Sequence, residues 1–318
     1  MSNDNPVEIE YNCGRKNYPS QKVQMKSLIR ILGIPIDLGQ KKRGVDMGPG
    51  AIRYAGLSSR LQKLGYHVED RGNIHVPVRE SVKEADLLDT IHQACERVYQ
   101  SAKELTAEDG SISIFLGGDH STAIGTIGGL THNSARGVIW VDAHGDFNTL
   151  DNSPSGNVHG MALSSLLGMG SKKLVNIGRP GAKLNPDDTV LIAIRELDPA
   201  EKTCLKQSGV KVYTMRDIDE QGMKMVAQSA LKHLVHMPEI HVSLDMDSLD
   251  PSIAPGVGTP VPGGITYREA QLLMEMIADT ERCRSLDIVE INPLIDHQNQ
   301  TAKSAVDLAG SLFGQRII

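Results

Sequence analysis

Aromatic side chains are scarce here: three Phe, one Trp and seven Tyr in 318 residues. So few rings offer no stacking platform for single-stranded nucleic acid. A basic excess is also missing. The formal net charge of −6 supplies no pull toward nucleic acid or an anionic membrane, and it mildly favours a cationic ligand. Cysteines are few and scattered (Cys13, Cys95, Cys204, Cys283), with no CxxC pair. Free thiols in a reducing compartment are the expectation. No early apolar run has the form of a signal peptide, and no apolar stretch approaches the ~18 residues of a membrane span. A cytoplasmic protein is expected, with neither nucleic acid nor membrane as partner.

What the chain does contain is ordinary globular material, 40% hydrophobic and 23% charged. Residues 1–26 are polar, mixed in charge and aperiodic, and read as a leader, either disordered or a surface strap. From Ser27 onward short apolar runs alternate with amphipathic stretches. Strands are expected at 28–34, 111–116, 137–141, 189–194, 210–214, 239–244 and 285–291. Helices are expected at 81–105, 217–236, 267–278 and 302–312. Strands separated by helical spans imply right-handed crossovers and an α/β fold, a mostly parallel sheet with helices on both faces. No repeat or linker divides residues 27–318, so a single domain is expected there.

Four of these strands run into polar segments: Gly117-Gly118-Asp119-His120, Asp142-Ala143-His144-Gly145-Asp146, Asp245-Met246-Asp247, and Glu290 before Asn292-Pro293. Ligands of open α/β sheets bind outside the carboxyl ends of strands. Alternate residues of an extended segment share a side, with Cα atoms roughly 6.5 Å apart. Carboxylates and imidazoles so placed can grip two metal ions ~3.5–4 Å apart, the geometry of bimetallic hydrolases. The candidate ligands are His120, Asp142, His144, Asp146, Asp245 and Asp247. This oxygen-rich set suits Mn²⁺ or another ion accepting five or six ligands better than tetrahedral zinc. Asp and His at strand ends also cap helices, and His120 alone fits that role equally well. Carboxylates gathered in one pocket repel one another, and metal is the natural compensation.

The runs Gly117-Gly-Asp-His120-Ser121, Asp142-Ala-His-Gly-Asp-Phe-Asn-Thr149, Ser155-Gly-Asn-Val-His-Gly160 and Ser243-Leu-Asp-Met-Asp-Ser-Leu-Asp-Pro251 resemble the signatures of the ureohydrolase (arginase/agmatinase) family. The likeness runs from about Ile29, through Gly44-Val-Asp-Met-Gly-Pro49, to Glu290-Ile-Asn-Pro293, and is strongest to bacterial arginases. It implies an arginase-like three-layer α/β/α domain over residues 27–318, assembled as homotrimers or homohexamers. It also implies two Mn²⁺ ions, one held by His120, Asp142, Asp146 and Asp245. Asp142, His144, Asp245 and Asp247 would hold the other, with Asp142 and Asp245 bridging. Ala162 departs from the family pattern, where Pro or another loop residue often stands.

The implied reaction is hydrolysis of L-arginine to L-ornithine and urea, by attack of a metal-bridging hydroxide on the guanidinium carbon. The resemblance gives Asp146 the proton relay to the departing nitrogen. It gives His159 a proton shuttle and Glu290 a two-pronged grip on the guanidinium. Asn148, Ser153, Ser155 and Asn157 form a neutral polar cluster that could take an amino-acid carboxylate, although by itself it also reads as a turn-rich loop. Asp198 and Glu201 match positions facing the substrate α-amino group, and Thr259 matches a loop position beside the substrate. The alternatives are an agmatinase or other guanidino-acid ureohydrolase, and a non-catalytic metal-binding homologue. A two-metal phosphatase is disfavoured because no Arg or Lys accompanies the ligand motifs.

Overall fold

Short runs such as Gly137–Val141 and Ile240–Asp245 are buried on both faces, which suits strands covered from two sides. The computed structural model describes residues 26–107 and 110–317, and it builds one sheet from eight strands. They are β1 (Lys26–Ile34), β2 (Tyr66–Asn73), β3 (Ile112–Gly117), β4 (Gly137–Val141), β5 (Thr189–Ile194), β6 (Lys211–Thr214), β7 (Ile240–Asp245) and β8 (Cys283–Val289). The order is β2-β1-β3-β8-β7-β4-β5-β6, and every neighbouring pair is parallel.

Successive side chains enter opposite cores, as the pleat requires. Ile139, Val141, Val242 and Leu244 join a core covered by helices Leu57–Lys63, Met223–His233, Tyr267–Ala278 and Gln300–Leu312. Val138, Trp140, Phe115 and Leu191 face the other core, under helices Leu87–Ala107 and Thr122–Leu130. The expected α/β fold with helices on both faces is therefore present. The leader expected at 1–26 falls, apart from Lys26, outside the described residues. Among the described residues no helix is long and apolar enough to cross a membrane.

Several expectations need correction. The edge strand β2 (Tyr-His-Val-Glu-Asp-Arg-Gly-Asn) is absent from the expected set, because its one aliphatic residue leaves no apolar alternation to read. Its backbone pairing with β1 and the Arg53–Asp70 ion pair hold it instead. The helix expected at 81–105 begins at Leu87, after separate turns at Arg79–Ser81 and Glu84–Asp86. That expected at 217–236 is two helices, Met215–Gln221 and Met223–His233, broken at Gly222 with φ 78° and ψ 150°. Helix Thr122–Leu130 is a further addition, since three glycines blur its periodicity. Those glycines admit a neighbour: a Cβ on Gly129 would collide with the Tyr99 carbonyl of helix Leu87–Ala107.

Candidate active site

The four strands that end in polar residues are separated along the chain but adjacent in space, in the order β3-β8-β7-β4. Register keeps their carboxyl ends level, with Leu116 opposite Ile288, Asp245 opposite Val289 and Val141 opposite Leu244. His120 follows β3 through the tight turn at Gly118, where a Cβ would strike the Ile36 carbonyl. Asp142 follows β4, Asp245 closes β7, and Glu290 follows β8.

Two groups of potential metal ligands result, His120–Asp142–Asp245 and Asp142–His144–Asp247, with Asp142 common to both. His120 Nδ1 stands 3.1 Å from Asp142 Oδ2, 3.0 Å from Asp146 Oδ2 and 3.1 Å from Asp245 Oδ2. His144 Nδ1 lies 3.1 Å from Asp247 Oδ2 and 3.4 Å from Asp142 Oδ1. All six candidate ligands are thus brought together. Asp245 falls in the first group alone, and its Oδ1 accepts the Asp247 N–H at 2.8 Å.

The chemistry of this donor set fits divalent cations. His120 Nδ1 and Asp146 Oδ2 are buried and 3.0 Å apart, yet make no well-directed hydrogen bond, an arrangement that a shared cation would satisfy. Burial disfavours charge on His144, yet Asp247 and Asp142 override it and push the imidazole up to about 12. Burial and then the neighbouring Asp142 push Asp146 up to about 6. Burial, followed by Asp247 and Asp142, likewise raises Asp245 well above the ordinary range. Four acids this crowded need positive charge, which divalent metal would supply.

The ligands are also held from behind. His120 Nε2 is 2.9 Å from Ser243 Oγ, which leaves Nδ1 to face the acids, and its ring stacks on Trp140 at 4.1 Å. Trp140 Nε1 donates to Asp142 Oδ2, and the His144 N–H to Asp142 Oδ1. Thr259 Oγ1 donates to Asp247 Oδ2 at 3.0 Å, so this loop residue touches a candidate ligand directly. Arg195 ties the same segment through the carbonyls of Asp247, Ser248 and Val261.

Glu290 stands beside this centre, 1% exposed, with an unusual backbone φ of 65°. Its N–H donates to the Gly118 carbonyl, which helps hold a conformation costly for a non-glycine residue. Oε1 takes the His120 N–H and faces His159 Nδ1, both at 3.0 Å, while Oε2 takes Gln40 Nε2 at 2.7 Å. Burial pushes this carboxyl up, but the His159 charge and these hydrogen bonds outweigh it and hold it below its ordinary value. His159 gains in return: burial opposes its charge, but Glu290 raises the imidazole to about 9.

The expected substrate residues divide into two sets. Asn148 is buried and donates to Asp198 Oδ2 at 2.9 Å. Glu201 is also buried, and its oxygens receive the Phe147 and Asp198 N–H groups, the latter as part of the capping box of helix Pro199–Ser208. Ser153, Ser155 and Asn157 lie farther out and bond within their own loop: Ser153 Oγ accepts from Gly156 and Ser155 Oγ from Asn157.

Sequence reasoning misses Gln40, Ser243, Trp140 and Arg195. Ser243 and Trp140 each stand two residues before a ligand and share its side of the strand, a readable signal. Gln40 and Arg195 reach the site from distant loops and give no local sign.

A parallel α/β sheet ending in this acid–imidazole centre defines an enzyme of the hydrolase class, equipped for divalent metal. The arginase family model matches residues 27–314, and the chain belongs to that family. Arginase of Bacillus subtilis (strain 168) is 48% identical over 298 residues, 92% of this chain and 100% of that protein. The solved structure of Bacillus caldovelox arginase superposes with a TM-score of 0.86 at 44% identity, covering 92% of this chain and 100% of that one. Entamoeba histolytica arginase, solved with L-ornithine, gives a TM-score of 0.81 at 31% identity, covering 91% and 98%.

Proposed function

We propose that the chain hydrolyses L-arginine to L-ornithine and urea with two Mn²⁺ ions at the six-ligand centre. The observation that carries this reading is the pair of ligand groups sharing Asp142, with Glu290 buried beside them. His120, Asp142, Asp146 and Asp245 would hold one ion; Asp142, His144, Asp245 and Asp247 would hold the other. Bound there, the pair would make hydroxide available near neutral pH by lowering the pKa of a shared water.

The chain's own groups do the rest. Glu290 draws the guanidinium to the centre by charge-assisted hydrogen bonding. Water adds to the guanidinium carbon, and the Asp146 carboxylate takes its proton. The departing nitrogen needs a proton in its turn, which Asp146 or the protonated His159 can provide. Collapse then releases urea and the amine.

Asn148, Ser153, Ser155 and Asn157 would receive the α-carboxylate, and Asp198 the α-amino group. Glu201 supports Asp198 from behind, and Thr259 steadies Asp247. The arginase with L-ornithine bound supports an amino-acid substrate over agmatine. We further propose one catalytic unit at residues 27–318, assembling as trimers or hexamers in the cytoplasm. Urea release from arginine and agmatine, assayed side by side with metal content measured, tests the proposal. Faster turnover of agmatine would overturn the substrate, and no urea release after Mn²⁺ loading would support a non-catalytic protein.

A further inference from the structure

Glu290 has fewer open acceptor sites than a two-pronged grip requires. Each carboxylate oxygen accepts two hydrogen bonds. Oε1 already serves the His120 N–H and His159 Nδ1, whereas Oε2 serves Gln40 Nε2 alone. One acceptor position is left on Oε2. A guanidinium edge presents two parallel N–H groups and needs two acceptors side by side.

Gln40 supplies the missing one. Its side chain is 4% exposed, and its Oε1 is buried with no partner, an arrangement that is costly unless a donor arrives. The orientation of the amide is settled by its neighbour: Nε2 must face the Glu290 carboxylate, because the flipped amide would set oxygen against oxygen. Both acceptors flank Gly258, where a Cβ would stand 2.6 Å from Glu290 Oε2 and 2.9 Å from Gln40 Oε1. The loop that carries Gln40 is rigidly placed. The Gly39 N–H donates to Asp119 Oδ2 at 2.7 Å, and the Gly39 carbonyl accepts the His159 N–H at 3.1 Å. Gln40 thus links Glu290 to a loop that also holds His159.

Resting on the guanidino-substrate reading above, we propose that Gln40 is a further substrate-binding residue: its amide N–H orients Glu290, and its carbonyl shares the guanidinium fork with Glu290 Oε2. The role is specific to the guanidinium end and leaves the amino-acid end of the substrate untouched.

The test compares Gln40→Met with the wild-type holoenzyme, and adds Gln40→Leu in case the first variant folds poorly. A hydrogen bond to a charged group corresponds to a loss of about 10–100-fold in kcat/KM for arginine. Inhibition by guanidinium chloride should weaken by at least ~10-fold. L-ornithine lacks the guanidinium, so its inhibition constant should stay within about twofold, as should bound manganese. Equal weakening of guanidinium and ornithine would indicate general distortion and overturn the proposal, as would no change in either. If the wild type releases no urea from arginine, the substrate reading fails on its own. Calorimetric titration of guanidinium into manganese-loaded wild type and variant then still decides the role of Gln40, with equal heats counting against it.

Discussion

The two ends of the candidate site are built differently. At the metal end, Asp142, Asp245 and Asp247 are at most 3% exposed, and Trp140, Thr259 and backbone N–H groups anchor their oxygens. At the loop end, Ser155 is exposed and its Oγ accepts from Asn157 two residues on. The first end is made by four adjacent strands, the second by the loop around Ser155 and the start of helix Pro199–Ser208. Charge clustered in a buried site must be held by a scaffold, because each acid lowers its energy by moving away from the others. Neutral hydroxyls and amides on a loop face no such penalty and can wait for a ligand. On the proposed reading, chemistry sits on the rigid part and substrate choice on the adaptable part.

The sharpest way to break the metal end is Asp142→Asn, which removes the carboxylate shared by both ligand groups. Turnover should fall by about 10⁴-fold or more, with metal analysis showing less than about one manganese retained per chain, because both ions lose a ligand at once. Two bound ions with normal turnover would refute the assignment. Chelation of metal should abolish activity and leave the acids uncompensated. Since a ligand at 100 times its Kd stabilises by about 2.7 kcal/mol, a melting temperature several degrees lower is expected in the chelated protein. An unchanged melting curve would mean that the centre does not need cations to be stable.

His159→Ala tests the boundary between the two ends. Loss of a general acid or base should slow turnover by about 10²–10⁴-fold while metal content stays intact. Loss of manganese in this variant would count against the shuttle role. Ser243→Ala removes the oxygen facing His120 Nε2 and should weaken metal affinity by about 10–100-fold, read by titrating manganese into the apo-protein. The smallest effect is expected at the loop. Ser155→Ala should raise KM for arginine by about tenfold or less and leave agmatine turnover unchanged. Equal effects on the two substrates would remove Ser155 from carboxylate recognition.

Much of the metal end is legible along the chain, because β-strand side chains alternate. Asp142 and His144 flank Ala143, and Asp245 and Asp247 flank Met246, so each spacing announces a ligand pair at a strand end. The same reasoning reaches Ser243 and Trp140, two positions upstream of their ligands. Glu201 shows its limit. Its place in the Asp198–Glu201 capping box can be read from spacing, but its further partner, the Phe147 N–H, comes from a segment 54 positions away. Strand β2 cannot be read at all, since backbone pairing to β1 holds it and no apolar pattern marks it.

By itself the sequence determined the α/β class, the residue types of the centre and the hydrolytic chemistry they suit, because these follow from local spacing and the charge of side chains. Tertiary structure alone decided that β8 lies between β3 and β7, and so that Glu290 stands beside His120. It alone brought Gln40 onto Glu290 across 250 positions of chain. Strand order and loop closure depend on how whole faces bury against helices, and no local pattern encodes that choice.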